Sequence, residues 1–240
     1  MQGIVRLGRP LRIVIYNDAL IPGSPFRPDK GRVVETFYWC MVDWPDHVLQ
    51  RSFCWPVFAV IRKSLVAKIL GGLSAVAGFV LIRFTRLFTV GVRLPLEQSI
   101  IVCGVFVGWL AGLGGHKELT CWKGHNGTRA CMCCKNLKQP GSLVVGEIDL
   151  SCADATQFEK HTSADIFKIV DDLDRDKATM SKTAHGKRET QKGFSADVYG
   201  IMWCHAFRTW YQPVDHHLRD WMHMVASDGV ANTEICALSV

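Results

Sequence analysis

Short apolar runs punctuated by turn formers mark the first part of the chain. Leu11–Tyr16 (LRIVIY) is a β-branched run ending at Asn17-Asp18. It passes into Pro22-Gly23-Ser24-Pro25 and Arg27-Pro28-Asp29-Lys30-Gly31. That order predicts a strand delivering Asp18 to its own end. Arg32–Trp44 (RVVETFYWCMVDW), bounded by Gly31 and Pro45, is rich in β-formers and aromatics and predicts a second strand. From Pro56 onward Val60, Ile61, Leu65, Val66, Ile69 and Leu70 recur at helical spacing, with Arg62, Lys63 and Lys68 opposite, which predicts an amphipathic helix. Gly71-Gly72 stops or kinks it, and a second apolar segment runs from Leu73 to Phe88. Val90–Leu94 reads as a short strand. Ser99–Leu110 (SIIVCGVFVGWL) reads as a buried central strand ending in Ala111-Gly112-Leu113-Gly114-Gly115.

The second half has a different texture. Cys121–Asn136 (CWKGHNGTRACMCCKN) is a compact cysteine and histidine knot, and Leu143–Leu150 reads as a strand. Thr162–Asp176 predicts a polar helix capped by Thr162 or Ser163. Asp176–Lys192 is charged and nearly free of large apolar residues, which predicts a loop or linker. Val198–Tyr211 is apolar and aromatic, and Asp215–Val230 predicts a helix.

Two apolar stretches raise the question of a membrane, since a spanning helix needs about 20 consecutive apolar residues. Ile69–Ile82 is short between Lys68 and Arg83, and Ser99–Gly115 is loaded with glycine and β-branched residues. A buried core is the expectation, with an integral membrane protein of one or two spans as the alternative. The secondary structure of Ser99–Leu110 discriminates the two.

Composition narrows the class without naming it. With 240 residues and 48% hydrophobic content the chain can bury a sizeable core, which excludes a disordered protein. The net charge of +6 is spread in pairs such as Arg62-Lys63 and Lys187-Arg188, compatible with nucleic acid or anionic lipid but demanding neither. Four of the ten cysteines crowd between Cys121 and Cys134. No secretory signal is evident, because Arg6, Arg9 and Arg12 interrupt the first apolar run. Thiols that are free or on a metal, in a reducing compartment, are therefore expected.

Three patches carry candidate chemistry. Asp18 at a strand end is the best candidate for a catalytic carboxylate, because enzymes that cut phosphodiesters with two metals hold acids on neighbouring strand ends. An aspartate there is also a common turn former. Cys131-x-x-Cys134 suits zinc, two thiolates on one tight turn filling adjacent tetrahedral corners, with Cys121, His125, Cys133, Cys152 and His161 available to complete the set. Buried thiols without metal are the alternative. Asp220-Trp221-Met222-His223 sets an acid and an imidazole three apart, on one face of a helix, where they can hydrogen-bond or share a metal.

Taken in order, these patches resemble one family. Lys123-Gly124-His125-Asn126-Gly127 followed by Cys131-x-x-Cys134 resembles the KGH…C…C element of CACTA-type DDE transposases and their Plavaka and Kyakuja-Dileera-Zisupton relatives. Asp220-x-Met222-His223 followed by Gly229-Val230 resembles their D-x-M-H…G-V element. The likeness is strongest to transposase-like frames abundant in dinoflagellate genomes and covers nearly the whole chain.

The resemblance implies an α+β fold: an RNase H-like core over residues 1–115, a cysteine-rich insertion over 116–175, a polar linker over 176–193 and a helical segment over 194–240 carrying Asp220-x-x-His223. It also implies DNA as partner, a nuclear or cytoplasmic location, and two magnesium ions wherever the acidic triad is complete. Asp18 matches the first acid, but Gly112 stands where the second is expected, and no residue is assigned to the third. The expectation is a mobile-element-derived, truncated and catalytically inactive remnant, with structural zinc or a non-catalytic zinc-dependent binding module as the other function.

Overall fold

The computed structural model describes residues 5–6, 8–22, 32–94, 100–129, 131–138, 148–149 and 154–219. The strands are β1 (Val5–Arg6), β2 (Leu11–Leu20), β3 (Val34–Met41), β4 (Val57–Arg62), β5 (Val92–Leu94), β6 (Ile100–Val102), β7 (Gly104–Ala111), β8 (Leu137–Lys138), β9 (Ile148–Asp149) and β10 (His217–Arg219). The α-helices are α1 (Asp46–Leu49), α2 (Lys63–Val66), α3 (Gly72–Thr89), α4 (Leu113–Thr120), α5 (Ser163–Thr179) and α6 (Lys182–Lys192). The fold is mixed α+β. Two compact units divide it, one holding the chain up to Ile69, Val76–Gly115 and the residues from Leu218, the other Leu70–Ala75 and His116–His217.

The first unit is built on a five-stranded sheet of order β10-β7-β2-β3-β4. β2, β3 and β4 form an antiparallel meander, and β7 returns parallel to β2. A parallel pair needs a long crossover, and α3 lies within it. Ala77, Val80, Leu81 and Phe84 recur at helical spacing on α3 and are buried, while Phe79 and Ile82 are exposed. The buried stripe meets the sheet through Phe84 on Trp39 and Phe88 on Phe106. Ile13, Ile15 and Trp109 are wholly buried, and each such side chain removed from water contributes about 1.5–3 kcal/mol. A second, three-stranded sheet of order β1-β6-β5 belongs to the same unit.

The run expected as one central strand forms two, Ile100–Val102 in the three-stranded sheet and Gly104–Ala111 in the five-stranded one, so its described residues provide no helical span. α3 is the one described helix long and apolar enough to cross a membrane, and its apolar face is in part spent on the sheet.

Three expectations fail locally. The helix foreseen over Val60–Leu70 is instead β4 and the one-turn α2. Val57, Val60 and Ile61 are β-formers, and pairing with β3 supplies hydrogen bonds that outweigh a helical period shared by only a few residues. The segment 176–193 is not a linker: α5 continues to Thr179 and α6 fills Lys182–Lys192. Its Lys, Arg, Glu and Gln are good helix formers, and docking supplies what an apolar stripe would. The His185 imidazole is buried with Nε2 2.9 Å from the Leu173 carbonyl, and Arg188 pairs with Asp176 at 3.1 Å. The helical segment expected over 194–240 is, in its described part, a set of turns, a 3-10 helix at His205–Thr209 and β10. A turn in which the His216 N–H donates to the Gln212 carbonyl redirects the chain, and the sheet edge beside β7 then captures His217–Arg219 as a strand.

The second unit is centred on α5 and α6. Of the two expected caps, Thr162 and Ser163, it is Thr162 that caps α5, in a reciprocal capping box with Asp165. Ile166, Val170 and Leu173 of α5 are fully buried, as are Ile201 and Met202. Gly193, with φ of +81°, ends α6 in the left-handed conformation that glycine adopts without strain.

Candidate functional site

Asp18 lies near the end of β2 and is half-buried. Its neighbour Asn17 pairs with Ala111 of the parallel strand β7, so Asp18 and Gly112 are the next residues along two adjacent strands running the same way. These are the two positions that the family resemblance singles out for the first and second acid. What the second strand contributes there is a glycine, followed by Leu113 at the start of α4. The Asp18 carboxylate accepts a hydrogen bond from the Ala19 N–H at 2.8 Å.

Two other acids of the unit, Asp43 and Glu35, are committed elsewhere. Asp43 accepts from the Arg12 backbone N–H at 2.7 Å and its guanidinium at 2.9 Å. Those bonds hold the Asp43 carboxyl below the usual carboxylate range. Arg12 is six residues from Asp18 on β2, roughly 20 Å along an extended strand, so Asp43 cannot share a metal with Asp18. Glu35 is buried opposite Ala19 on β3, hence on the face that Asp18 does not occupy, and is paired with Lys63 at 3.0 Å. Asp220 and His223 lie outside the described residues. Two divalent cations need carboxylates on both neighbouring strand ends. Asp18 beside Gly112 does not meet that need among the described residues.

The cysteine segment belongs to the second unit. The thiols and backbone N–H groups of Cys133 and Cys134 direct hydrogen bonds at the Cys131 sulfur and hold it well below an ordinary thiol pKa, against the opposing effect of burial. The turn is pinned by the His161 N–H donating to the Cys133 carbonyl at 2.9 Å and by a bridge between Cys134 and Lys160. Cys121 is in a different setting. Burial, with the charge of Asp197, pushes its thiol up to about 12, and a hydrogen bond with Ser74 works the other way.

The structure thus brings Cys131 and Cys134 together and ties Cys121 to other neighbours. The His125 side chain and Cys152 fall outside the described residues. Among the described residues no group of three or more His, Cys, Asp or Glu is arranged to hold a metal, and every cysteine is a free thiol.

Several polar residues central to these units were not legible as such. Asn17, 2% exposed, accepts from the Trp109 indole at 2.7 Å across the β2–β7 pair. The Glu35–Lys63 pair is a second case, and the His116 and His217 rings, 3.8 Å apart between centroids, a third. The only signal for Asn17 was its place beside Asp18 at the end of an apolar strand. His116 and His217 are a hundred residues apart in sequence, and nothing local joins them. Searches against protein-family models, curated proteins and solved structures found no match to this chain.

Proposed function

We propose that this chain is a transposase-like protein built on an RNase H-like sheet that has lost the metal-dependent chemistry of strand cleavage and transfer. The supporting observation is the strand order: an antiparallel three-strand meander, a crossover containing α3, and a fourth strand parallel to the first, with a further short strand at that edge. On that sheet the aspartate of the first strand and the residue one past the end of the fourth are neighbours, and the second is Gly112. Two cations cannot be held by Asp18 alone, so the retained role is binding DNA without cutting it.

The test restores the missing acid. Gly112→Asp is expected to bind Mn²⁺ more tightly than the unaltered chain, and Asp18→Asn in the same background is expected to remove that gain. The unaltered chain is expected to leave supercoiled plasmid intact in Mg²⁺ or Mn²⁺. Metal-dependent cleavage abolished by Asp18→Asn would overturn the loss of chemistry, and a Gly112→Asp chain with no gain in Mn²⁺ affinity would overturn the proposed relation of the two positions.

A second reading rests on Cys131, whose sulfur is already surrounded by the donors that favour a thiolate. Here Cys131 and Cys134 supply two ligands of a structural zinc site in a non-catalytic binding module. One zinc per purified chain, lost in Cys131→Ser, supports it, and a zinc-free folded chain ends it.

A further inference from the structure

The second unit contains a cavity of about 400 Å³. Arg129, Lys135, Lys168 and Lys192 line it, together with His161 and Asn136. Three acids line it as well. Asp165 is committed to capping α5 through Thr162, Glu159 faces Lys135 at 4.0 Å, and Asp172 pairs with Arg175 at 3.2 Å. Lys168 and Lys192 have no ion pair of that kind among the described residues.

Lys192 is acted on by charges of both signs. Burial holds its ammonium below the usual value, the charges of Arg188 and Arg129 add to that, and Asp172 and Asp176 oppose it only in part. His161, 8% exposed, has an Nδ1 that meets no hydrogen-bonding partner. A half-buried ammonium that makes no close ion pair and a buried imidazole nitrogen without a hydrogen-bonding partner, both lining one cavity, are polar groups whose burial costs free energy until something pairs with them.

We infer that this cavity is a phosphate-binding site. The volume falls within the range of small-ligand pockets and admits a nucleotide-sized group. Lysine ammoniums donate to phosphate oxygens as point charges, while Arg129, which already donates to the Lys135 carbonyl, adds positive charge to the wall. The phosphate can come from a free nucleotide or from a nucleic-acid backbone, and the chemistry at the cavity is the same for both. The inference stands on the cavity in the second unit and does not depend on the reading of Asp18 and Gly112.

The full chain is titrated separately with inorganic phosphate, with adenosine monophosphate and with a labelled single-stranded DNA oligonucleotide. Lys168→Gln and Lys192→Gln are compared with Lys182→Gln, which lies at the start of α6 and does not line the cavity. Circular dichroism checks that each variant is folded. Because bonds to a charged group are among the strong ones, each cavity variant is expected to weaken binding about tenfold. The control is expected to bind like the unaltered chain.

Tight binding of the monophosphate assigns a free nucleotide. Binding confined to the oligonucleotide, with a salt dependence that flattens in the cavity variants, assigns a nucleic-acid backbone. If none of the three probes binds, or if all three variants bind alike, the phosphate site is wrong.

Discussion

The Trp109 indole donates a 2.7 Å hydrogen bond to the Asn17 side chain between two parallel strands, in a position sealed from water. This bond ties β2 to β7 one residue before Asp18 and three before Gly112, close to both strand ends. Asn17→Ala leaves the indole N–H buried without its partner, at a cost of about 1–3 kcal/mol. Urea unfolding is expected to show this loss, and in a double-mutant cycle Trp109→Phe is expected to cost less in the Asn17→Ala background than alone. Additive losses would show that the bond does not couple the strands.

The Glu35–Lys63 pair makes a different demand. Glu35 is almost wholly buried while the Lys63 side chain is 43% exposed, so the pair sets a carboxyl taken out of water against an ammonium that keeps part of its hydration. Breaking a fully buried pair costs roughly 3–5 kcal/mol, and the half-exposed lysine places Lys63→Met below that range, at about 2–3 kcal/mol. Glu35→Gln is expected to recover most of the loss in the Lys63→Met background, because an uncharged amide needs no counter-ion. Thermal unfolding of the single and double variants checks this. A double variant less stable than Lys63→Met alone would refute the account.

How much of this was readable beforehand depended on the range of the interactions involved. The β2 run, the β7 run and the Thr162 capping box are local patterns, and each element formed. Positions 18 and 112 were singled out by the family resemblance, and their standing side by side is a long-range consequence of the β2–β7 pairing that no local pattern carries. Val60–Leu70 misled because its apolar residues satisfy both periods over a short window, and pairing with β3 decided for the strand. The α6 helix was hidden for the opposite reason. It buries one principal side chain, His185, and draws its stability from Leu173 and Asp176 of the preceding helix. The cavity lining is drawn from residues 129 to 192, and only folding assembles it.

His161 connects the cysteine turn to pH. Burial, with Arg129 and Lys135 nearby, lowers its pKa to about 4, while Asp165 pulls the other way. A histidine whose pKa is depressed by folding contributes stability above its unfolded value, roughly 6.5, and that contribution is lost as pH falls through the folded value. Stability toward urea is therefore expected to decline between about pH 6.5 and pH 4, and His161→Gln to flatten the decline. A proton-NMR titration of the imidazole provides the direct check. A midpoint near 6.5 would remove the basis for the prediction.

The bidentate pair of Arg208 with Asp171, at 2.9 and 2.5 Å, gives a second pH signature in the same unit. The guanidinium holds the Asp171 carboxyl below the usual range. A carboxylate depressed by folding contributes stability above its unfolded pKa, about 3.9, and loses it as pH falls through the lower folded value. The stability difference between the unaltered chain and Asp171→Asn is thus expected to be constant above about pH 5 and to shrink below it. A difference independent of pH would mean that the pair acts through packing alone.

Gly108 tests the edge of the five-stranded sheet. It lies on β7 opposite Val14, and a methyl group there would come within 2.3 Å of Leu218 Cδ1 on β10. The neighbouring atoms belong to a side chain and not to backbone, so relief is available only if Leu218, on the edge strand β10, moves. Gly108→Ala is expected to destabilise by about 1–3 kcal/mol, the usual cost of overpacking. Leu218→Ala alone opens a gap and should also destabilise, whereas the double variant, in which the new methyl occupies space the leucine vacated, should be more stable than the sum of the two losses implies. Urea unfolding of all four chains reads the coupling directly. Strictly additive losses would mean that β10 does not pack against Gly108, and the order of the sheet at that edge would have to be redrawn.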